Sequence, residues 1–362
     1  MDLRKQIGQL LFVGFQGKSI TTELKELIED YHIGGIIFFT RNIEDVFQLS
    51  DLIYEAQSLA RKKSDGIPLL IGIDQEGGRV ARIKEPLTVF PPASVLGRTR
   101  SEELARRQGM VQAIELKALG FNINFSPVLD IDTNPENPII GDRAFGNAPK
   151  LVSMMGRAVI RGLQENGVIA CGKHFPGHGD ANVDSHLELP VLTHDIKRLM
   201  ALELRPFKAA IREKVETMMT AHIHYPKIDT EKIPATFSRK IIKGLLRKKL
   251  RFKGVIFSDD LEMKAVENNF SMENAALSSI EAGIDMLLVC HSSEKQVRIF
   301  EALLENVNKG EISKTSVTEA NKRIFNLKKR YIGGLEKPDR KKLLKILGNE
   351  EHKKVAFEIA GY

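Results

Sequence analysis

Residues 168–180 are Val168-Ile169-Ala170-Cys171-Gly172-Lys173-His174-Phe175-Pro176-Gly177-His178-Gly179-Asp180, an apolar run that ends in polar side chains and a loop. A short continuous apolar run is typical of a parallel strand that is buried on both faces. Glycine and proline mark the loop, and loops held by a rigid scaffold often carry functional side chains. The stretch therefore predicts a buried strand with polar groups at its carboxyl end.

The same alternation of apolar runs and amphipathic segments repeats along the chain. Strands are predicted at 9–15, 34–39, 68–74, 121–131, 168–174, 217–224, 254–259 and 284–290, and helices at 22–31, 43–63, 101–119, 148–165, 196–214, 238–250, 271–282, 294–308 and 316–331. Eight strands that alternate with helices favour a single (β/α)8 barrel of the TIM type with extra C-terminal helices. A doubly wound α/β sheet is the alternative architecture.

Polar residues at the ends of the predicted strands support the barrel. They are Asp74, Asp130, Asp132, Lys173, His174, His222, His224, Asp259, Asp260 and His291. A barrel brings the carboxyl ends of all its strands to one mouth, whereas an open sheet spreads them along an edge. We therefore expect a catalytic barrel over residues 1–335, with residues 336–362 forming a helical tail packed on it.

The composition argues against several classes of partner. The 362 residues carry 54 basic and 47 acidic side chains, for a net charge of +7, and include no tryptophan. The basic clusters near the C-terminus fall on helical patterns, which favours a solvated helix face over a nucleic-acid site. The composition therefore predicts no nucleic-acid partner.

The sequence predicts a cytoplasmic protein without a membrane partner. No apolar run reaches the roughly 18 residues that a membrane span needs. The apolar segment at 10–15 is short and interrupted, unlike the core of a signal peptide. Cys171 and Cys290 each end an apolar run, which predicts two buried, reduced thiols rather than a disulfide.

Two sites in the sequence carry residues suited to catalysis. Asp184 and His186 stand two positions apart, and a carboxylate beside an imidazole can orient the ring and stabilise its cation, as a general acid/base requires. Asp259 ends the strand predicted at 254–259, where a carboxylate can attack an electrophilic carbon or bind a cation. Since Asp260 follows directly, the alternative role of capping the next helix can fall to either aspartate.

Two further segments carry groups suited to binding a sugar. Asp74 ends the strand predicted at 68–74 and is followed by two glycines and by Arg82. A carboxylate accepts hydrogen bonds from sugar hydroxyls, and an arginine donates through a planar fork. Arg143 lies in a non-periodic loop, where it is either an ordinary surface residue or part of the same site.

These motifs resemble those of the bacterial β-N-acetylglucosaminidases (β-hexosaminidases) of glycoside hydrolase family 3. The resemblance covers residues 7–331 and is most specific at 173–180, 184–186 and 258–263. By that resemblance Asp259 is the nucleophile and His186 the general acid/base, with Asp184 as its partner. The residues that hold the N-acetylglucosamine ring by the same resemblance are Asp74, Arg82, Arg143, Lys173 and His174; His178 shares the motif without an assigned role.

The resemblance implies a retaining exo-β-N-acetylglucosaminidase that works through a covalent glycosyl-aspartate intermediate. We accordingly expect a monomer that acts on a small carbohydrate and uses no cofactor and no metal. The single-domain members that this chain resembles act in cell-wall recycling. They remove non-reducing N-acetylglucosamine from peptidoglycan fragments in which it is joined to 1,6-anhydro-N-acetylmuramic acid, with or without a stem peptide. That substrate is an expectation from the resemblance, and no single residue of the chain specifies it.

Three other functions are compatible with the same residues. A phosphorylase would transfer the sugar to phosphate instead of water, since a neutral histidine repels an anionic acceptor less than a carboxylate does. A metal-dependent hydrolase would use the cluster at 174–186, although its spacing fits no standard zinc pattern and a lysine lies beside it. A non-catalytic sugar-binding barrel would have no need of Asp259, Asp184 and His186 together.

Overall fold

A computed structural model describes residues 1–181 and 189–361. In this part of the chain eight parallel strands close into a barrel. The barrel strands are β1 (Leu11–Val13), β2 (Gly35–Phe38), β3 (Leu70–Ile73), β6 (Ile123–Asn124), β7 (Ile169–Phe175), β8 (Thr217–Thr220), β9 (Val255–Asp260) and β10 (Met286–Val289). Around the barrel they follow the order β1-β10-β9-β8-β7-β6-β3-β2. The predicted (β/α)8 barrel is confirmed, and the doubly wound sheet is not the architecture.

Helices surround the barrel. They are α1 (Leu3–Gly8), α2 (Thr22–Glu29), α3 (Val46–Lys63), α4 (Ala93–Thr99), α5 (Glu102–Leu119), α6 (Pro149–Glu165), α7 (Ile196–Ala201), α8 (Leu204–Arg212), α9 (Lys264–Glu267), α10 (Met272–Ala282), α11 (Ser293–Lys309), α12 (Lys314–Tyr331), α13 (Arg340–Ile346) and α14 (Glu350–Ala360). A π-type helix spans Lys240–Lys249, and short 3-10 turns lie at Thr40–Asn42, Gly141–Arg143 and Ala235–Phe237. Within the described residues, no helix combines the length and apolarity that a membrane span requires.

Three phenylalanine rings fill the centre of the barrel. The ring centroid of Phe12 lies 5.4 Å from those of Phe125 and Phe257, which are 5.5 Å from each other, all edge to face. The facing positions on β2 and β3 are glycines, because a Cβ at Gly35 would lie 2.4 Å from the Phe12 ring and one at Gly72 would lie 2.8 Å from the Phe125 ring. Large rings opposite glycines give a solid core that supports the mouth.

The alternation of side chains along the strands carries this interior face up to the mouth. Asp259 lies two positions beyond Phe257, and Asp74 lies two positions beyond Gly72. Residues two apart on a strand share a face, so these carboxylates continue the inward-facing rows above the aromatic core. The positions of the polar groups at the mouth thus follow from the packing below them.

Two predicted elements differ from the structure because of proline. The helix predicted at 196–214 is two helices, since α7 ends at Ala201 and α8 starts at Leu204. Pro206 has no N–H to donate to the carbonyl of Leu202, so one continuous helix cannot form. The strand predicted at 121–131 is reduced to β6, because Pro127 cannot donate to a β-ladder.

A small antiparallel hairpin was not predicted. It pairs β4 (Gln75–Gly77) with β5 (Val80–Ala81), directly after β3. Gly77 and Gly78 have φ values of 116° and 55°, a region that favours glycine. The hairpin folds Glu76 and Arg82 back beside the barrel mouth.

The C-terminal helices are tied to the barrel by buried polar contacts. α14 lies against α4 and α5, and α13 lies against α5. The buried Glu115 carboxylate of α5 accepts hydrogen bonds from the N–H and hydroxyl of Thr88 (2.9 and 2.8 Å) and from the N–H of Gly348 (2.8 Å), and its Oε1 lies 2.9 Å from His352 Nδ1. One carboxylate thus joins α5, the segment before α4, and the tail.

Lys328 is an unusual feature of the base of the barrel. Its side chain on α12 is buried, and its ammonium group donates to Gln9 Oε1 at 2.6 Å. No carboxylate of the described residues forms an ion pair with it. Burial without a counter-charge disfavours the ammonium form and lowers the pKa of Lys328 to about 7.

We expect Lys328→Met to stabilise the protein near pH 7 and to flatten its stability profile at higher pH. Between about pH 7 and the ordinary lysine pKa of 10.5, the unfolded chain binds a proton that the folded chain does not, so stability of the wild type rises with pH there. At pH 7 the burial of Lys328 without a counter-charge lowers the free energy of unfolding of the wild type by on the order of a few kcal/mol. The variant is free of this cost but loses the hydrogen bond to Gln9, which contributes about 1 kcal/mol. Urea unfolding at pH 7 and pH 9.5 measures both effects; an unchanged pH slope in Lys328→Met would contradict the assignment.

Candidate active site

A cavity of about 440 Å³ opens at the carboxyl ends of the barrel strands. Its walls come from several different strands and from the loops that follow them, as is usual at the mouth of such barrels. The polar residues that line it are Asp74, Arg79, Arg82, Arg143, Lys173, His174, His178, Asp259, Asp260, Glu262, Lys264 and His291. Its size suits one monosaccharide ring with part of a second group.

Asp259 and Asp260 lie side by side at the end of β9 but have different surroundings. Asp260 Oδ1 accepts hydrogen bonds from the N–H groups of Glu262 (3.1 Å) and Cys290 (3.2 Å), so it fixes the following turn. Among the described residues, Asp259 Oδ1 accepts only from the N–H of Asp260 (2.8 Å), and no hydrogen bond reaches Oδ2. Asp259 therefore keeps one carboxylate oxygen for the cavity.

The charges around Asp259 favour its ionised form. Burial alone would raise the pKa of this carboxyl, but the charges of His174 and His222, the N–H of Asp260 and the charge of Lys173 outweigh burial and hold the pKa below its usual range. A carboxylate that stays ionised beside a sugar is a suitable nucleophile.

Lys173 ties two carboxylates together at the base of the cavity. Its Nζ lies 2.7 Å from Asp74 Oδ1 and 2.7 Å from Glu76 Oε1, and the side chain is buried. Burial opposes the charge on Lys173, yet Asp74 and Glu76 outweigh it and raise the pKa of the ammonium. Arg82 approaches the other oxygen of Asp74 at 3.4 Å. Asp74 is therefore held in one orientation, as binding of sugar hydroxyls requires.

Glu76 positions Arg143 through a bidentate ion pair. Arg143 Nε lies 2.9 Å from Glu76 Oε2, and Nη2 lies 2.7 Å from Oε1. Burial opposes ionisation of Glu76, but the cations of Arg143 and Lys173 outweigh burial and hold its pKa far below the usual range. Paired forks of this kind fix the guanidinium plane. Arg143 is thus part of the cavity wall and not an ordinary surface residue.

The side of the cavity formed by His174 and His178 is organised by Asp130. Asp130 Oδ2 lies 2.7 Å from His174 Nδ1, and Oδ1 accepts from the N–H of His178 at 2.7 Å. Burial, together with the charge of His174, lowers the pKa of His178 to about 4, so this imidazole is neutral at pH 7. The two imidazole rings lie 5.9 Å apart, edge to face.

The opposite rim is formed by Phe39 and His291. The two rings stack at 5.8 Å with an interplanar angle of 29°. His291 Nε2 lies 3.3 Å from Asp260 Oδ2, and this hydrogen bond, against the effect of partial burial, raises the pKa of His291. Glu262 accepts hydrogen bonds from the N–H groups of His291 and Ser292 and so fixes the loop after β10.

Nine of the residues singled out in the sequence line this one cavity: Asp74, Arg82, Arg143, Lys173, His174, His178, Asp259, Asp260 and His291. Asp184 and His186 lie outside the described residues, so the structure gives no position for the expected acid/base pair. His222 and His224 are buried, and neither lines the cavity; His222 Nε2 lies 3.0 Å from the carbonyl of Asp260, and His224 Nδ1 lies 3.1 Å from that of Ile233.

The sequence reasoning missed several residues of the site. Glu76 and Phe39 are the main ones, together with Glu262 and the roles of Asp130 and Arg79. Glu76 lies in the hairpin that was not predicted, and no local pattern connects it to Arg143 or Lys173. Phe39 ends an apolar run and has the pattern of a core residue, which left nothing to distinguish it.

The cation-binding alternative finds no support in the described residues. Within 1–181 and 189–361, no group of three or more His, Cys, Asp or Glu side chains is arranged to hold a metal ion. Lys173 lies between Asp74 and Glu76, and an ammonium there takes the place that a cation would need. Cys171 and Cys290 are unpaired and buried, and burial raises the pKa of the Cys171 thiol to about 12.

Comparison with known proteins gives consistent matches. The model of the glycosyl hydrolase family 3 N-terminal domain matches residues 2–327. A β-hexosaminidase of Idiomarina loihiensis is 38% identical over 296 residues, which are 81% of this chain and 87% of that protein. A family 3 β-N-acetylglucosaminidase from a Paenibacillus species is 40% identical with a TM-score of 0.93, over 99% of this chain and 68% of that one. NagZ from Neisseria gonorrhoeae, crystallised with N-trifluoroacetyl-D-glucosamine, is 33% identical with a TM-score of 0.80, over 97% of both chains.

Proposed function

The chain belongs to glycosyl hydrolase family 3, and we propose that this glycoside hydrolase of the β-hexosaminidase type removes terminal N-acetylglucosamine from peptidoglycan fragments. The observation that carries the proposal is the cavity at the barrel mouth. It brings an ionised Asp259 together with the Lys173–Asp74–Arg82 and Glu76–Arg143 groups. Asp259 can attack the sugar while the other two groups of residues hold its hydroxyl and acetamido groups.

The proposed reaction is a retaining double displacement. Asp259 attacks the anomeric carbon from the face opposite the β-linked leaving group, and the glycosidic bond to the leaving oxygen breaks as the bond to the carboxylate forms. His186, oriented by Asp184, gives a proton to the leaving oxygen and then takes one from the water that releases the sugar. These two roles rest on the sequence resemblance, because both residues lie outside the described part of the chain.

The proposed substrates are N-acetylglucosamine joined to 1,6-anhydro-N-acetylmuramic acid, with or without a stem peptide. The size of the cavity supports removal of one terminal sugar at a time. A cytoplasmic location, a monomeric state and the division into a barrel of residues 1–335 and a tail of residues 336–362 belong to the same proposal. The two unpaired cysteines are compatible with a reducing compartment.

The test is hydrolysis of p-nitrophenyl N-acetyl-β-D-glucosaminide beside the matching glucoside, with Asp259→Asn as the control. We expect release from the acetamido sugar alone, abolished in Asp259→Asn. Cleavage of the anhydro-disaccharide with and without its stem peptide, followed by mass spectrometry, then tests the natural substrate. Equal release by Asp259→Asn, or a preference for the glucoside, would overturn the proposal.

The phosphorylase alternative is not favoured, because the curated relative with high coverage is named a β-hexosaminidase. The same assay separates the two reactions when inorganic phosphate is added. A hydrolase yields free N-acetylglucosamine whether or not phosphate is present, whereas a phosphorylase yields the sugar 1-phosphate. Retention of activity after dialysis against a strong chelator is expected for a hydrolase that uses no metal.

A further inference from the structure

Asp130 is a buried carboxylate behind the His174 wall, and none of the roles proposed above uses it. It is 1% exposed, and its oxygens accept hydrogen bonds from the N–H of His174 (3.2 and 3.3 Å), from His174 Nδ1 (2.7 Å) and from the N–H of His178 (2.7 Å). A buried charge requires such compensation. Here every one of these donors comes from the segment 174–178, so Asp130 is directed at that segment alone.

The contact with Asp130 decides which face of the His174 ring is available to the cavity. Because Nδ1 donates to the carboxylate, the tautomer and the ring orientation are both fixed. Among the described residues no hydrogen bond reaches Nε2, although His174 lines the cavity beside Asp259. One nitrogen of the imidazole is thus bound to Asp130, and the ring lines the cavity that Asp259 also lines.

We propose that Asp130 is a positioning residue which holds the His174 imidazole in the orientation that the nucleophile Asp259 requires. The inference rests on the proposed role of Asp259 as nucleophile. The hydrogen bonds to Asp130 hold the His174 imidazole in place in the cavity that Asp259 also lines. Because His174 is among the groups that hold the pKa of Asp259 below its usual range, a displaced ring would make protonation of the nucleophile easier. Asp130 itself touches neither the sugar nor the reacting atoms.

The electrostatics of the described residues support a relay that runs from Asp130 through His174 to Asp259. Burial acts to raise the pKa of Asp130, but the charge of His174 and its hydrogen bond outweigh burial and lower it. The charge of His174 is also the largest of the effects that lower the pKa of Asp259. Among the described residues, the other titratable groups that interact with these carboxylates are His178, Arg143 and Tyr225 around Asp130, and Lys173, His178, His222, Cys171 and Cys290 around Asp259.

The test is the pH dependence of kcat/KM for Asp130→Asn with p-nitrophenyl N-acetyl-β-D-glucosaminide. The substitution keeps the shape of the side chain and removes its charge. Asp259 must be ionised to attack, so kcat/KM falls on the acidic side as Asp259 takes up a proton. We expect kcat/KM to fall by about 10- to 100-fold, with the loss in kcat and little change in KM. We also expect the acidic limb of the pH profile, where kcat/KM declines, to move to higher pH by about one unit.

Glu115→Gln is the matched control. Glu115 is also a buried carboxylate that accepts backbone N–H groups and pairs with a histidine Nδ1, but it joins the C-terminal tail to α5 and does not line the cavity. We expect this variant to unfold at lower urea concentration and to keep the acidic limb of the wild type. A shifted limb in Asp130→Asn alone therefore reports the relay and not a general loss of stability.

A second variant keeps the test decisive if Asp130→Asn does not fold. His174→Gln leaves Asp130 in place and removes the imidazole, and we expect the same upward shift of the acidic limb. An unshifted limb in either folded variant, or a loss confined to KM, would refute the relay while leaving the proposed function standing. If the wild type does not release the acetamido sugar, or if Asp259→Asn is as active as the wild type, the proposed function itself fails.

Discussion

Asp259→Gly is expected to lose at least about 10³-fold in kcat, and added azide is expected to restore turnover as a glycosyl azide. The nucleophile attacks from the face opposite the β-linked leaving group. Removal of its side chain leaves a space on that face which a small anion can enter. The product should therefore be the α-azide of N-acetylglucosamine, with the opposite configuration to the sugar that the wild type first releases. Proton NMR of the anomeric position distinguishes the two.

Asp260→Gly is the matched control for that experiment, because the two aspartates are neighbours and both line the cavity. Asp260 accepts from the N–H groups of Glu262 and Cys290, so its loss should loosen the turn after β9 and lower activity without making it dependent on azide. Azide rescue of Asp260→Gly, or none in Asp259→Gly, would reverse the assignment. The sequence alone left open which aspartate points into the mouth.

The fold was predictable because both faces of each barrel strand are buried. That burial turns strands such as Ile169–Phe175 into continuous apolar runs, and the closed barrel then requires their carboxyl ends to meet. Lys173, His174 and Asp259 were identified for the same reason, since a polar residue at the end of a buried run has no structural explanation in the strand. The proline effects at 127 and 206 were readable in principle, but a propensity pattern does not show how far an element extends.

The partners of these residues were not predictable, because each partner is distant in sequence. Arg143 and Glu76 are 67 positions apart, and His174 and Asp130 are 44 apart. No periodicity connects such pairs, and only the closure of the barrel brings them into contact. Phe39 shows the converse problem: an apolar residue at a strand end looks like core, yet here it stacks on His291 at the rim. Side chains that act through others are therefore the part of a site that the sequence conceals.

Glu76→Gln tests how much of the site depends on one such hidden partner. Glu76 lies 2.7 Å from both Lys173 Nζ and Arg143 Nη2, and all three side chains are largely enclosed. An amide keeps one acceptor but directs an NH₂ group at a cation, so the buried Arg143 loses its paired carboxylate and Lys173 keeps only Asp74.

We expect Glu76→Gln to lower the free energy of unfolding by about 3–5 kcal/mol and kcat/KM by about 100-fold or more, since Arg143 and Lys173 no longer hold their places. Asp142→Asn is the control, because Asp142 pairs with Arg79 at 3.0 Å in an exposed ion pair, where the loss is at most about 1 kcal/mol. Urea unfolding and steady-state kinetics on the acetamido substrate measure both quantities. If Glu76→Gln resembled Asp142→Asn in both, the Lys173–Glu76–Arg143 group would not be the structure that shapes the sugar-binding wall.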